Sequence, residues 1–124
     1  MRNTVAGKLV TEILAASPTP LTLRELHERV RARSPRTAHS TVFRLVTRLE
    51  QERKVVRVDW RERGSRFEWA GRPHHHHIVC GDCGRTADLE DRDLGFSESR
   101  LRSRTGFLVS HHAIELEGIC PDCQ

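Results

Sequence analysis

Apolar side chains recur along the first fifty residues at the spacing of a helix face. Val5, Leu9, Val10, Ile13 and Leu14 fall on one side of a helix over residues 5–16, which Ser17-Pro18 and Pro20 close. Thr22 followed by Glu25 has the form of a capping box, and Leu23, Leu26 and Val30 make the buried stripe of a second helix. After a turn at Ser34-Pro35-Arg36-Thr37, a third helix is expected over about Ala38–Glu52. It should turn Val42, Leu45, Val46 and Leu49 inward and leave Thr41, Arg44 and Arg48 outside. The period then changes from helical to alternating. Val56-Arg57-Val58 and Arg66-Phe67-Glu68-Trp69 read as strands joined by the charged turn Arg61–Gly64. Three helices and a basic hairpin make a winged helix-turn-helix over residues 1–70.

Gly71-Arg72-Pro73 breaks this pattern and forms a hinge at 71–73. In residues 74–124, short strands are expected at 76–79 and 85–89, then a helix over Asp93–Arg104 weakened by Gly95 and three serines and ended by Gly106. Phe107-Leu108-Val109 and Ala113-Ile114-Glu115-Leu116 supply a last strand or pair of strands. The fold class is α/β, an N-terminal winged helix-turn-helix followed by a small α/β dimerisation domain. A sheet this short gains from pairing with a second copy, which would lengthen it and cover its edges.

Charge separates the same two halves. Residues 1–73 hold 16 Lys/Arg against 8 Asp/Glu, and residues 74–124 hold 5 against 9. The basic half therefore suits an anionic partner, and double-stranded DNA fits a winged helix. The third helix would enter the major groove with Thr41, Phe43, Arg44 and Arg48, and the wing would bring Arg61, Arg63 and Arg66 to phosphates or a minor groove. Phe43 has two readings, a core residue beside Val42 and Val46 or a contact to a thymine methyl. Arg29, Arg31, Arg33 and Arg53 read as solvated charges or as loose attraction to phosphates. No run approaches the length of a membrane span and the N-terminus lacks an apolar signal core, so a cytoplasmic protein is expected.

Metal chemistry enters with the cysteines and histidines. Cys80-Gly-Asp-Cys83 and Cys120-Pro-Asp-Cys123 are two Cys-x-x-Cys pairs 36 residues apart, with no further cysteine, and fit a tetrahedral four-thiolate zinc site. Two disulfides are the other use of four cysteines, against which stand the missing signal core and the adjacent histidines. If His74-His75-His76-His77 is extended, alternation sends His74 and His76 to one side and His75 and His77 to the other. One strand could then supply imidazole pairs to two metal sites.

Ser40-Thr41-Val42-Phe43-Arg44-Leu45-Val46, the His74–Cys83 block and Ile114–Cys123, with Arg2-x-Thr4 at the start, resemble the ferric uptake regulator family of bacterial metal-dependent repressors over nearly the whole chain. The resemblance implies a homodimer that binds an inverted-repeat operator near metal-uptake or stress genes when a divalent ion fills a regulatory site. It implies that the zinc of Cys80, Cys83, Cys120 and Cys123 is structural, and that the family's sensory ligands match Glu68, His75, His77 and Asp88. A further histidine of that site falls on Pro20. The family's other metal site matches His74, His76 and His112, but its helix acid falls on Gly95. Glu98 is the substitute expected here, with Asp93 or water as alternatives. His39 and His111 have no matching role.

A nitrogen and oxygen shell suits iron(II), zinc(II) or manganese(II). The zinc branch of the family usually has a cysteine near Ala70, which is missing, whereas Pro20 and the unbroken histidine run are closer to that branch. Asp88 in place of a glutamate resembles the peroxide-sensing branch. Iron is placed first, zinc second, and manganese or peroxide sensing after them. A zinc hydrolase and a metal-binding adaptor without DNA binding are the competing classes. The first lacks any HExxH helix, nucleophile elbow or phosphate loop, and the second has no use for the basic half.

Overall fold

The computed structural model describes residues 4–60 and 63–124. Arg2 and the wing-tip residue Arg61 lie outside the described residues. The chain divides into two compact units, the first ending at Arg72 and the second beginning at Pro73.

In the first unit, α1 (Val5–Ala16), α2 (Leu23–Arg33) and α3 (His39–Gln51) precede the hairpin of β1 (Val55–Trp60) and β2 (Gly64–Trp69). Thr22 caps α2 by accepting the Glu25 amide at 3.0 Å while Glu25 accepts the Thr22 amide at 3.0 Å. Removing such a cap costs about 1 kcal/mol. The helical stripes meet the hairpin in one core containing Leu9, Val10, Leu14, Leu26, Val30, Val42, Val46, Val55 and Phe67. Val5, expected on the inward face of α1, is instead exposed at the helix start. Leu21 and Phe67 exchange backbone hydrogen bonds of 2.8 Å in each direction, which ties the connection between α1 and α2 to the wing.

The second unit is a three-stranded sheet of order β4-β3-β5, with β3 (His76–Cys80) central, β4 (Thr86–Leu89) antiparallel to it and β5 (Glu115–Gly118) parallel. Two short helices, α4 (Asp91–Leu94) and α5 (Glu98–Thr105), follow β4. The single helix expected over Asp93–Arg104 is thus divided. Gly95 adopts φ +64° and closes α4, and Ser97 accepts the Arg100 amide at 3.2 Å to open α5. Residues 107–109 form no strand, and Phe107 and Leu108 are exposed. With both sides of β3 taken by β4 and β5, an apolar run has no edge of the central strand left to join. No described helix is long and apolar enough to cross a membrane.

Candidate metal centres and nucleic-acid interface

The buried stripe of α3 runs through Val42 and Val46, so the neighbouring positions point outward. Phe43 is 50% exposed and Arg44 is exposed, with Thr41 and Arg48 half-buried. The core reading of Phe43 is corrected accordingly. On the wing, Arg63 is half-buried. Arg66, expected to face DNA, is buried: its guanidinium lies 5.2 Å from the centre of the Trp60 ring, with Nη1 3.9 Å from Glu25 Oε1. Register explains this. Arg66 pairs with Val58, so Trp60, two residues further on, stands on the same face and covers it.

The four cysteines come together. Their sulfurs all lie within 4.8 Å of one another. Cys80 ends β3, and the chain reverses through hydrogen bonds from Gly84 N to Cys80 O (2.9 Å) and Cys80 N to Arg85 O (2.8 Å). Gly84 sits at φ +81°, where a side chain would be strained. Cys120 precedes and Cys123 ends a short 3-10 turn closed by Cys123 N to Cys120 O at 3.0 Å. Amides of Cys120 and Cys83 donate to Cys80 Sγ at 3.4 and 3.5 Å and lower that thiol to about 6. Cys123, crowded by the sulfurs of Cys120, Cys83 and Cys80, is pushed up to about 12. Several thiolates can therefore share this point only around a cation. All four are free thiols, and the 3.7 Å between Cys83 and Cys120 sulfurs compares with about 2.0 Å in a disulfide, so the disulfide alternative is set aside.

The histidine run separates by alternation. The rings of His74 and His76 lie 4.8 Å apart, as do those of His75 and His77. The first pair meets His112 and Asp91. Asp91 Oδ1 is 2.6 Å from His76 Nε2, 2.8 Å from His112 Nε2 and 3.3 Å from His74 Nε2. These bonds, led by His112 and then His76, hold the Asp91 carboxyl well below the usual carboxylate range. Phe96 stacks on His112 with ring centres 4.0 Å apart. The amide of Ile114 donates to His76 Nδ1 at 3.1 Å, which leaves Nε2 as the proton-bearing nitrogen toward Asp91.

The acid brought to this group is Asp91. Glu98, expected there, approaches only the other ring nitrogen of His112, at 3.8 Å. Asp93 is engaged in capping α4 through the Glu90 amide at 2.8 Å.

On the other face, register places His77 between Asp88 on β4 and Glu115 on β5. His77 Nδ1 lies 3.2 Å from the Glu115 carboxylate, and His75 Nδ1 is 2.6 Å from the Pro73 carbonyl. Glu68, on β2 of the first unit, is buried and accepts a hydrogen bond from Arg72 Nη1 at 2.9 Å. Pro20 is fully buried and offers no donor. His39 and His111 are exposed and join no group of metal donors among the described residues.

A winged helix, a four-thiol group and two histidine pairs at the start of one strand are thus on a single chain, and residues 1–117 match the ferric uptake regulator family. The chain belongs to that family. It is 26% identical to the ferric uptake regulation protein of Campylobacter jejuni over 125 residues, covering 99% of this chain and 80% of that one. It is 27% identical to the peroxide-responsive repressor of Staphylococcus saprophyticus over 124 residues, covering 100% and 83%. The ferric uptake regulator of Helicobacter pylori shares the fold at TM-score 0.88 and 24% identity, over 99% of this chain and 82% of that one. A zinc-bound manganese uptake regulator aligns at TM-score 0.83 and 27% identity, over 97% and 91%. Family and fold are those of metal-responsive transcription regulators, with the α/β architecture expected from the sequence.

Proposed function

We propose that this protein is a homodimeric, DNA-binding repressor of metal-uptake genes that senses iron(II) through Glu68, His75, His77 and Asp88. The observation that carries the proposal is the division of the histidine run, which sets His75 and His77 apart from His74 and His76 on a family winged-helix chain. Two imidazoles and two carboxylates make a nitrogen and oxygen shell without sulfur, which suits iron(II) and also admits zinc(II) or manganese(II). Glu68 comes from the unit that carries α3, and the other three ligands come from β3, the residue just before it, and β4. A divalent ion would supply the positive centre these four balance. Joining them fixes the orientation of one unit against the other, and in a dimer that sets the separation of two recognition helices.

Cys80, Cys83, Cys120 and Cys123 would hold a structural zinc, and His74, His76, His112 and Asp91 a second site. The Helicobacter pylori regulator is described as having three functional metal-binding sites, which agrees with three donor sets here. Thr41, Phe43, Arg44 and Arg48 would face the major groove of an inverted-repeat operator, with Arg61 and Arg63 on the wing. The exposed Phe107 and Leu108 suit burial against a second copy. Peroxide sensing is the second reading, favoured by Asp88 and by the similarity to the staphylococcal repressor.

The test is an anaerobic titration of the zinc-loaded chain with iron(II), manganese(II) and zinc(II), read by gel shift on duplexes selected from a random pool. Iron should drive binding to an inverted repeat, and His77→Ala should abolish the response while the cysteine-bound zinc stays. Metal-independent DNA binding would refute the proposal. Zinc outcompetes iron at such ligands on affinity alone, so the iron response is judged at cellular free-ion levels.

A further inference from the structure

Glu68 is a carboxylate with 9% of its side chain exposed, and burial of such a charge requires a counter-charge. Within the first unit Arg72 supplies one. Its Nη1 lies 2.9 Å from Glu68 Oε2, and its own side chain is 20% exposed. The pair is four residues apart across the end of β2, at the last position before the second unit begins. A divalent ion bound by Glu68 and the Arg72 guanidinium would then be two positive charges directed at one carboxylate.

We propose that Arg72 is the resident counter-ion of Glu68, in competition with the metal for that carboxylate, and thereby sets the ion concentration at which the regulator responds. The proposal rests on the reading of Glu68 as a sensory ligand. Arg72 and the ion are alternative partners for one buried charge. Without metal, Arg72 keeps Glu68 compensated and stabilises the unliganded protein. With metal, the guanidinium must turn away or share the carboxylate, and either lowers affinity. A residue next to the hinge thus tunes the threshold without being a ligand.

The experiment compares the zinc-loaded full chain with Arg72→Gln and Arg72→Lys, titrating cobalt(II), whose visible absorption reports binding, against a chelator. Arg72→Gln should bind cobalt about tenfold more tightly, the scale on which outer partners of a ligand act. Its melting temperature should fall without cobalt and match wild type with cobalt, and Arg72→Lys, which keeps the charge, should behave as wild type. The gain should persist in a His112→Ala background and vanish with His77→Ala. Equal or weaker cobalt binding by Arg72→Gln overturns the proposal. Glu68→Gln separates the underlying reading: if it leaves cobalt affinity unchanged, Glu68 is not a ligand. If Glu68→Gln does weaken binding, the double variant Glu68→Gln/Arg72→Gln, which buries no lone charge, should show no gain from losing Arg72. A gain retained there means that Arg72 does not act through Glu68 and overturns the proposal.

Discussion

Three imidazole nitrogens converge on one oxygen of Asp91, and this residue was not legible in the sequence. Its neighbours Glu90 and Asp93 announce a helix start through their capping box, and Asp91 is the first residue of that four-residue turn. Which side chain of the turn reaches back over β3 depends on the path of the chain after β4, and periodicity carries no information about that path. Asp91→Asn should therefore remove one metal equivalent per chain while leaving zinc on the cysteines, with affinity at that group falling by more than the ~10–100-fold typical of an outer partner. Glu98→Gln should leave both counts unchanged. Metal analysis of the purified variants decides it, and undiminished content in Asp91→Asn would remove that residue from the site. Arg72 and Glu115 escaped for a related reason: each contacts a candidate ligand, Glu68 or His77, and motif spacing singles out only the candidate ligands themselves.

At the level of elements, the helices of the first unit were readable because apolar period and cap agree, as at Thr22, Leu26 and Val30. The wing was half readable. Alternation located β1 and β2, but the direction each arginine takes is set by cross-strand register, which put Trp60 over Arg66. A contrast between two substitutions follows. Phe43→Ala should leave the fold intact and cost on the order of 1 kcal/mol of operator binding at one base position. Arg66→Ala strips a cation–π contact and packing inside the hairpin and should lower stability by roughly 1–3 kcal/mol. Parallel denaturant melts and gel shifts separate the two, and an Arg66→Ala protein of native stability but weak DNA binding would return that residue to the DNA face. Of the one strand or two expected from Phe107-Leu108-Val109 and Ala113–Leu116, only the later one forms, because an apolar run specifies what must be covered, without specifying by what.

The two units differ as whole bodies in how they are held together. The first has a core of ten buried apolar residues, whereas Val79 and Cys80 are the buried apolar side chains of the second among the described residues. A unit so poorly filled would gain stability from an ion held by its cysteines, and structural zinc in small domains is worth about 10–16 kcal/mol in peptide systems. Zinc removal by a strong chelator, or Cys120→Ser, should melt the β4-β3-β5 sheet while α1, α2 and α3 stay folded. Amide exchange resolved along the chain would show this as lost protection confined to residues after Pro73; uniform protection would contradict it. All three donor sets also depend on β3 or the residues leading into it: His74 with His76, His75 with His77, and Cys80 at the end. Because faces swap with every residue along a strand, an insertion or deletion between His77 and Cys80 would interchange the histidine faces relative to the cysteine turn. The length of this segment is therefore constrained independently of the packing that buries Val79.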